Sequence, residues 1–151
     1  MVSAKKIRIV SVAAVRRADG ALLVQRGTAA DGDEQFHRLI GGGEDFGETA
    51  EQAVVRELDE ELGAAIVGVR LLGWVENRFT WAGRPAHELL AVHVGEVRDE
   101  RVLSTDDLGP IPGTDSTVHW VPVDELLDGP RALYPDGLAD LLRPWLDRTG
   151  G

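Results

Sequence analysis

Gly42-Gly-Glu-Asp-Phe-Gly-Glu-Thr-Ala-Glu-Gln-Ala-Val-Val-Arg-Glu-Leu-Asp-Glu-Glu-Leu-Gly-Ala64 carries the pattern from which the fold of this chain is read. Thr49-Ala-Glu-Gln52 is a capping box: the Thr49 hydroxyl can accept from the amide of Gln52, whose side chain returns to the Thr49 amide. A helix over 50–62 follows, and Gly63 stops it, because glycine enters the left-handed region at no steric cost. At about 100° per residue, Val54, Val55, Leu58 and Leu62 form an arc expected to face a core. Ala50, Ala53, Glu57, Glu60 and Glu61 form the adjoining arc. Three carboxylates at this spacing have Cβ atoms ~5–6 Å apart, and their like charges destabilise an isolated helix. Clustered oxygen ligands suit Mg²⁺ or Mn²⁺, which would offset that repulsion. Gly41 to Gly43 stand just upstream, where the backbone can approach a ligand and a carbonyl can complete a metal site. A solvated acidic helix face is the other reading of the same glutamates.

Upstream, Ile7 to Arg16 is apolar and β-branched, and Ala18-Asp-Gly-Ala21 separates it from Leu22 to Gln25. Asp-Gly between two such runs predicts a hairpin with a type I′ turn. Thr28 to Glu34 reads as a polar loop and Phe36 to Ile40 as a short strand running into the glycines. Downstream, Ile66 to Val75 and Glu88 to Val97 read as long strands joined by a turn around Gly83-Arg84-Pro85. Arg98 to Ser116 reads as a long polar loop without structure of its own, a place where substrate selectivity is expected to reside. Thr117 to Val121 then predicts a strand and Asp124 to Leu127 a helical turn. Asp136 to Leu146 predicts a helix with Leu138, Leu141, Leu142 and Trp145 on one face. Such an order implies a mixed sheet with helices packed on it, in one domain spanning 1–151.

Composition excludes several chemistries. The chain has no cysteine, so disulfides, thiolate zinc sites and a cysteine nucleophile are unavailable. Its formal net charge of -10 argues against binding nucleic acid backbones or anionic lipid. Eight acids face one base between Glu44 and Glu61, a local net of -7 that concentrates most of the excess in the helix segment. No apolar stretch approaches the ~20 residues needed to cross a bilayer, and no leader-like segment follows Met1, so a cytoplasmic protein is expected.

The stretch 42–64 resembles the 23-residue signature of the Nudix (MutT-like) hydrolases: Gly42, five residues, Glu48, seven residues, Arg56-Glu57, an aliphatic, one residue, Glu60-Glu61, one residue, Gly63, an aliphatic. At roughly 6% per fixed position, chance occurrence of all its fixed identities in a chain of this length is on the order of 10⁻⁷. Two departures are visible: Ala64 is smaller than the usual closing aliphatic, and Ile40 stands where many members have proline. Leu22 to Arg26, Glu76 to Phe79 with Gly83 and His87-Glu88, and Trp120 to Val123 also resemble stretches found in the family, so nearly the whole chain fits one such domain. The resemblance implies an α/β/α sandwich whose mixed sheet places a catalytic helix after a Gly-rich loop. It also implies Mg²⁺-dependent hydrolysis of a pyrophosphate bond, with Mn²⁺ as a substitute. The expected substrate is a nucleoside diphosphate linked to another moiety: a nucleotide sugar, ADP-ribose or a modified nucleoside triphosphate. A nucleotide-sensing domain without turnover is the alternative. The isoprenoid isomerase branch of the family uses a cysteine that this chain lacks. A monomer or homodimer acting on a small molecule, with no nucleic acid or membrane partner, is expected.

By the same resemblance, Glu57, Glu60 and Glu61 bind the cations together with the Gly41 carbonyl, and Glu57, then Glu60, is the candidate general base. Arg56 is expected to orient Glu57 or pair with Glu48, and Glu48 is either a ligand or a partner of Arg56 and the helix dipole. Arg26 matches a position from which relatives reach substrate phosphates; a surface arginine is the alternative. Phe79 and Trp81, around a turn, can stack on a base or sugar. Glu88 reads as a sheet-face partner for an arginine rather than a ligand. The four histidines share no ligand spacing, and Trp74, Trp120 and Trp145 read as core.

Overall fold

A computed structural model describes residues 5–28, 35–128 and 133–149. The expected loop Thr28 to Glu34 lies, beyond Thr28, outside these described residues. Among them the element order is β1 (Ile7–Val15), β2 (Ala21–Thr28), β3 (Gln35–Gly43), α1 (Ala50–Leu62), β4 (Ile66–Trp81), β5 (Arg84–Val97), α2 (Glu100–Leu103), β6 (Asp107–Pro110), β7 (Thr117–Pro122), α3 (Val123–Leu127) and α4 (Leu138–Thr149). The strands form one seven-stranded sheet in the order β4-β5-β1-β3-β2-β7-β6. It is mixed: β1 runs parallel to β5, and the other pairs are antiparallel.

Both faces of the sheet are covered, so its central strands bury alternate residues into different cores. Val10, Val12, Leu22, Val24, Leu39, Leu90 and Val92 pack with Leu138, Leu142 and Trp145 of α4. Ala13, Val15, Leu23 and Ile40 pack on the other face with Val54 and Leu58 of α1 and with Val102 and Trp120. The mixed sheet with helices packed on it, expected from the element order, is therefore present. α1 runs between the expected ends, with both capping-box bonds made and Gly63 at φ 64°.

Several expectations are corrected. β1 and β2 do not form a ladder: beyond a single Arg16–Leu22 bridge they separate, and β3 lies between them. Residues 35–39 of β3 pair with β2 and residues 40–43 with β1, because the pattern of apolar runs does not say which strand takes each free edge. The Asp19-Gly20 turn still forms, yet Gly20 has the positive φ and Asp19 does not, so it is the three-residue glycine form rather than type I′. The β4–β5 turn sits at Ala82-Gly83, one residue earlier than expected, and Arg84 and Pro85 already belong to β5.

Residues 98–116 are not structureless. Asp99 caps α2, β6 pairs with β7, and the Trp120 indole donates to the Val102 carbonyl at 2.8 Å. Val102 and Ile111 are buried, so this segment extends the second core. Trp120 and Trp145 are core residues as expected, but Trp74 is 51% exposed, since β4 is an edge strand. On α1, Val55 is exposed and Ala53 is fully buried, which rotates the core-facing arc toward the glutamates. No helix among the described residues is long and apolar enough to cross a membrane.

Candidate active site

β3 and α1 bring the candidate ligands together. The glycines are part of β3, paired with β1: Gly41 opposite Val12, Gly42 opposite Ser11 and Gly43 opposite Val10. A Cβ at Gly42 would lie 2.6–2.7 Å from the Glu57 carboxyl group, so a side chain there would push that carboxyl group off the strand. At Gly41, φ is 153°, and a Cβ would collide with the Ser11 carbonyl oxygen. Gly42 thus leaves room for a carboxylate, and Gly41 for the close approach of β1.

Glu61 reaches the same place one turn later on α1. Its carboxyl group lies against the Gly41 amide and the Glu57 carboxyl group, and one oxygen, Oε2, is buried with no hydrogen-bond partner. Burial first, then the negative charge of Glu57 and the hydrogen bond with it, pushes the Glu61 pKa up to about 8; Gly41 and Arg38 oppose this weakly. A buried, unsatisfied carboxyl oxygen beside a second carboxyl group is an arrangement that a cation could satisfy.

Arg56 organises the rest. Its Nε and Nη2 donate to both Glu48 oxygens at 2.7 and 2.8 Å, and Nη2 also donates to the Gly43 carbonyl at 3.0 Å. Nη1 donates to Glu57 at 3.0 Å and lies 3.3 Å from Glu60. One guanidinium therefore ties the loop before the helix to the helix itself. The paired charge and the Asp45 amide hold the Glu48 pKa down at about 2. Arg56 thus bonds both Glu57 and Glu48. Glu60 has a half-exposed side chain turned toward Arg56. Among the described residues no three acidic or histidine side chains already stand as a ligand set, because Arg56 draws Glu48, Glu57 and Glu60 to itself.

The substrate-binding candidates gather elsewhere. Alternation along β3 puts His37, Leu39 and Gly41 on one face and Arg38, Ile40 and Gly42 on the other. Arg26, paired with His37 and bonded to its Nε2 at 3.2 Å, is on the face opposite Gly42 and Glu57. Burial and then the charge of Arg26 lower the pKa of nearby His119. Phe79 and Trp81 join a cluster missed by sequence reasoning: Tyr134 lies 6.2 Å from Phe79 and 5.9 Å from Phe36, and Phe36 lies 6.5 Å from Trp81. Buried Asn77 donates to the Tyr134 hydroxyl at 3.1 Å, and the Tyr134 amide bonds to the His37 carbonyl. Only the return of the chain before α4 brings Tyr134 here, so no local pattern marks it. Glu88 is buried and lies 3.6 Å from Arg8, whose guanidinium fills the space beside Gly43. Among the histidines, His37 and His93 are buried, His93 faces the Val12 carbonyl at 3.2 Å, and His87 pairs with Glu76.

Known structures share this arrangement of strands and helices. MutT protein from Methanosarcina mazei Go1 superimposes with a TM-score of 0.67 at 20% identity, over 99% of each chain. A NUDIX hydrolase from Nitrosomonas europaea gives 0.65 at 18% identity, over 95% of this chain and 90% of that one. The MutT NUDIX hydrolase from Burkholderia pseudomallei gives 0.62 at 26% identity, over 96% of this chain and 99% of that one. The family model of the NUDIX domain matches residues 5–143, which takes in every strand, the signature helix and the aromatic cluster. This chain belongs to the Nudix family of pyrophosphohydrolases.

Proposed function

We propose that this protein hydrolyses the pyrophosphate bond of a nucleoside diphosphate linked to another moiety, using Mg²⁺ or Mn²⁺. The observation that carries the reading is the Glu57–Glu61 pair over Gly41 and Gly42, with its buried unbonded oxygen. Those donors fit a hard divalent cation, which Glu57, Glu60, Glu61 and the Gly41 carbonyl would hold. When bound, the ion neutralises charge at the attacked phosphorus and makes a bound water acidic enough to react near neutral pH.

The chain's own groups do the rest. Glu57 takes the proton of the attacking water, and its place beside Arg56 and over Gly42 keeps its carboxylate in one orientation. Glu60 is the alternative base. Arg56, anchored on Glu48, is a positioning residue for both. Phe79 and Trp81, with Tyr134, offer aromatic faces to a base, while Arg26, on the face opposite Glu57, serves as the partner of His37.

The test is a panel of nucleotide sugars, ADP-ribose and modified nucleoside triphosphates, with phosphate release followed after phosphatase coupling. Hydrolysis is expected with Mg²⁺ or Mn²⁺ and is expected to vanish in excess chelator. Glu57→Gln should lower kcat by at least about two orders of magnitude while the variant stays folded. Full activity in chelator, or parent rates in the variant, would refute the metal and base assignments. Tight binding of a panel compound without turnover would favour the sensing alternative.

A further inference from the structure

At the other end of β1, an open groove of about 490 Å³ is lined by Lys5, Lys6 and Arg78 over Ile7, Pro85 and His87, with no acidic residue in its wall. In a chain of net charge -10 such a cluster of one sign is unexpected. None of the three cations has an ion-pair partner among the described residues, and the acid at the rim, Glu76, is held by His87 at 2.7 Å. The floor is apolar and accessible, with Ile7 59% exposed. This combination suits an organic anion: a charged group for the ammonium and guanidinium groups and carbon atoms for the floor.

The position of the groove ties it to the catalytic helix. Ile7, His87 and Arg78 are register partners across β1, β5 and β4, so their side chains share a face. Ser11, two alternations further along β1, shares that face and pairs with Gly42, over which Glu57 sits. The groove therefore opens on the side of the sheet that carries α1. Four residues of strand are ~13 Å, too far for the two halves of one pyrophosphate. Ile9, between them on the same face, is 39% exposed, so α1 does not cover the track. Phe79 borders the groove and also touches Tyr134 of the aromatic cluster.

We propose that Lys5, Lys6 and Arg78 form a subsite for a phosphate monoester carried by the substrate at a distance from its scissile pyrophosphate. The inference rests on the hydrolase reading and narrows its substrate class to organic pyrophosphates with an additional, separate phosphate group.

ADP-ribose and ADP-ribose 2′-phosphate differ by that one group and give the test. Affinity is measured for both by titration calorimetry in chelator, where no turnover occurs, and KM is measured with Mg²⁺. The phosphorylated compound should bind about tenfold more tightly, a preference of roughly 1.4 kcal/mol, and raised salt should erase the difference because the cations are exposed. Lys5→Gln, Lys6→Gln and Arg78→Gln together should abolish the preference. Arg70→Gln, an exposed charge on the same strand outside the groove, should keep it. Equal affinity for the two compounds, failure of both to bind, or a preference that survives the triple substitution would overturn the subsite. Loss of hydrolysis with the binding preference intact would instead refute the catalytic reading and leave the subsite standing.

Discussion

Glu61→Gln separates the charge of the site from its shape. In the metal-free protein the folded-state pKa of Glu61, about 8, lies above the ordinary value of 4.5. The folded chain therefore holds a proton that the unfolded chain has released anywhere between those values. The stability contributed by the neutral carboxyl is complete below about pH 4.5 and is lost as pH rises through about 8. Between pH 4.5 and pH 7 the shift corresponds to roughly 3 kcal/mol at about 1.36 kcal/mol per pH unit, and partial solvent screening of the carboxyl reduces this to on the order of 1–2 kcal/mol. Glutamine keeps the neutral shape at every pH. Thermal melts in chelator should thus show parent and variant alike near pH 4.5 and the variant ahead by roughly 2–8 °C at pH 7–8. Adding Mg²⁺ should raise the parent's melting temperature and leave the variant's nearly unchanged, since a ligand stabilises only the state that binds it. A gap between the two proteins that does not change with pH would refute the reasoning.

Other substitutions test the supports of the site. Gly42→Ala places a methyl group against the Glu57 carboxyl, so kcat should fall by about tenfold or more with little change in melting temperature; an unaffected rate would show that Glu57 acts from another position. Arg56→Lys keeps the charge but loses the forked geometry that joins Glu48, Gly43 and Glu57, so it should fail to restore kcat in an assay where the folded fraction is checked by circular dichroism. Val102→Ala leaves a void under α2 and should cost about 1–3 kcal/mol in denaturant unfolding while the ranking of substrates holds; a changed ranking with unchanged stability would return residues 98–116 to a selectivity role.

Sequence alone was enough for α1 and for the arc that its carboxylates share, because both depend on neighbours a few residues away. A capping box, a terminal glycine and carboxylates three and four residues apart are set by helix geometry, and the structure keeps every one of them. The apolar strands were legible for the same reason, since alternation and β-branched runs are local. Partnership between strands is not local. Asp19-Gly20 turns the chain as expected, but whether β1 and β2 then pair depends on where β3 docks, and β3 inserts between them because its two halves fit different edges. Residues 98–116 looked like loop because their burial comes from packing against Trp120 and into the core it belongs to, which no short window contains. Trp74 looked like core because a strand's pattern does not reveal that it lies at the sheet's edge. The site divides in the same way. Glu57, Glu60 and Glu61 are fixed on one arc by the helix repeat, whereas the raised pKa of Glu61, the seat of Glu57 on Gly42 and the meeting of Tyr134 with Phe79 exist only once distant segments are packed together. Burial sets the local dielectric and the sheet register sets which side chains share a face, and both are properties of the assembled chain rather than of any stretch within it.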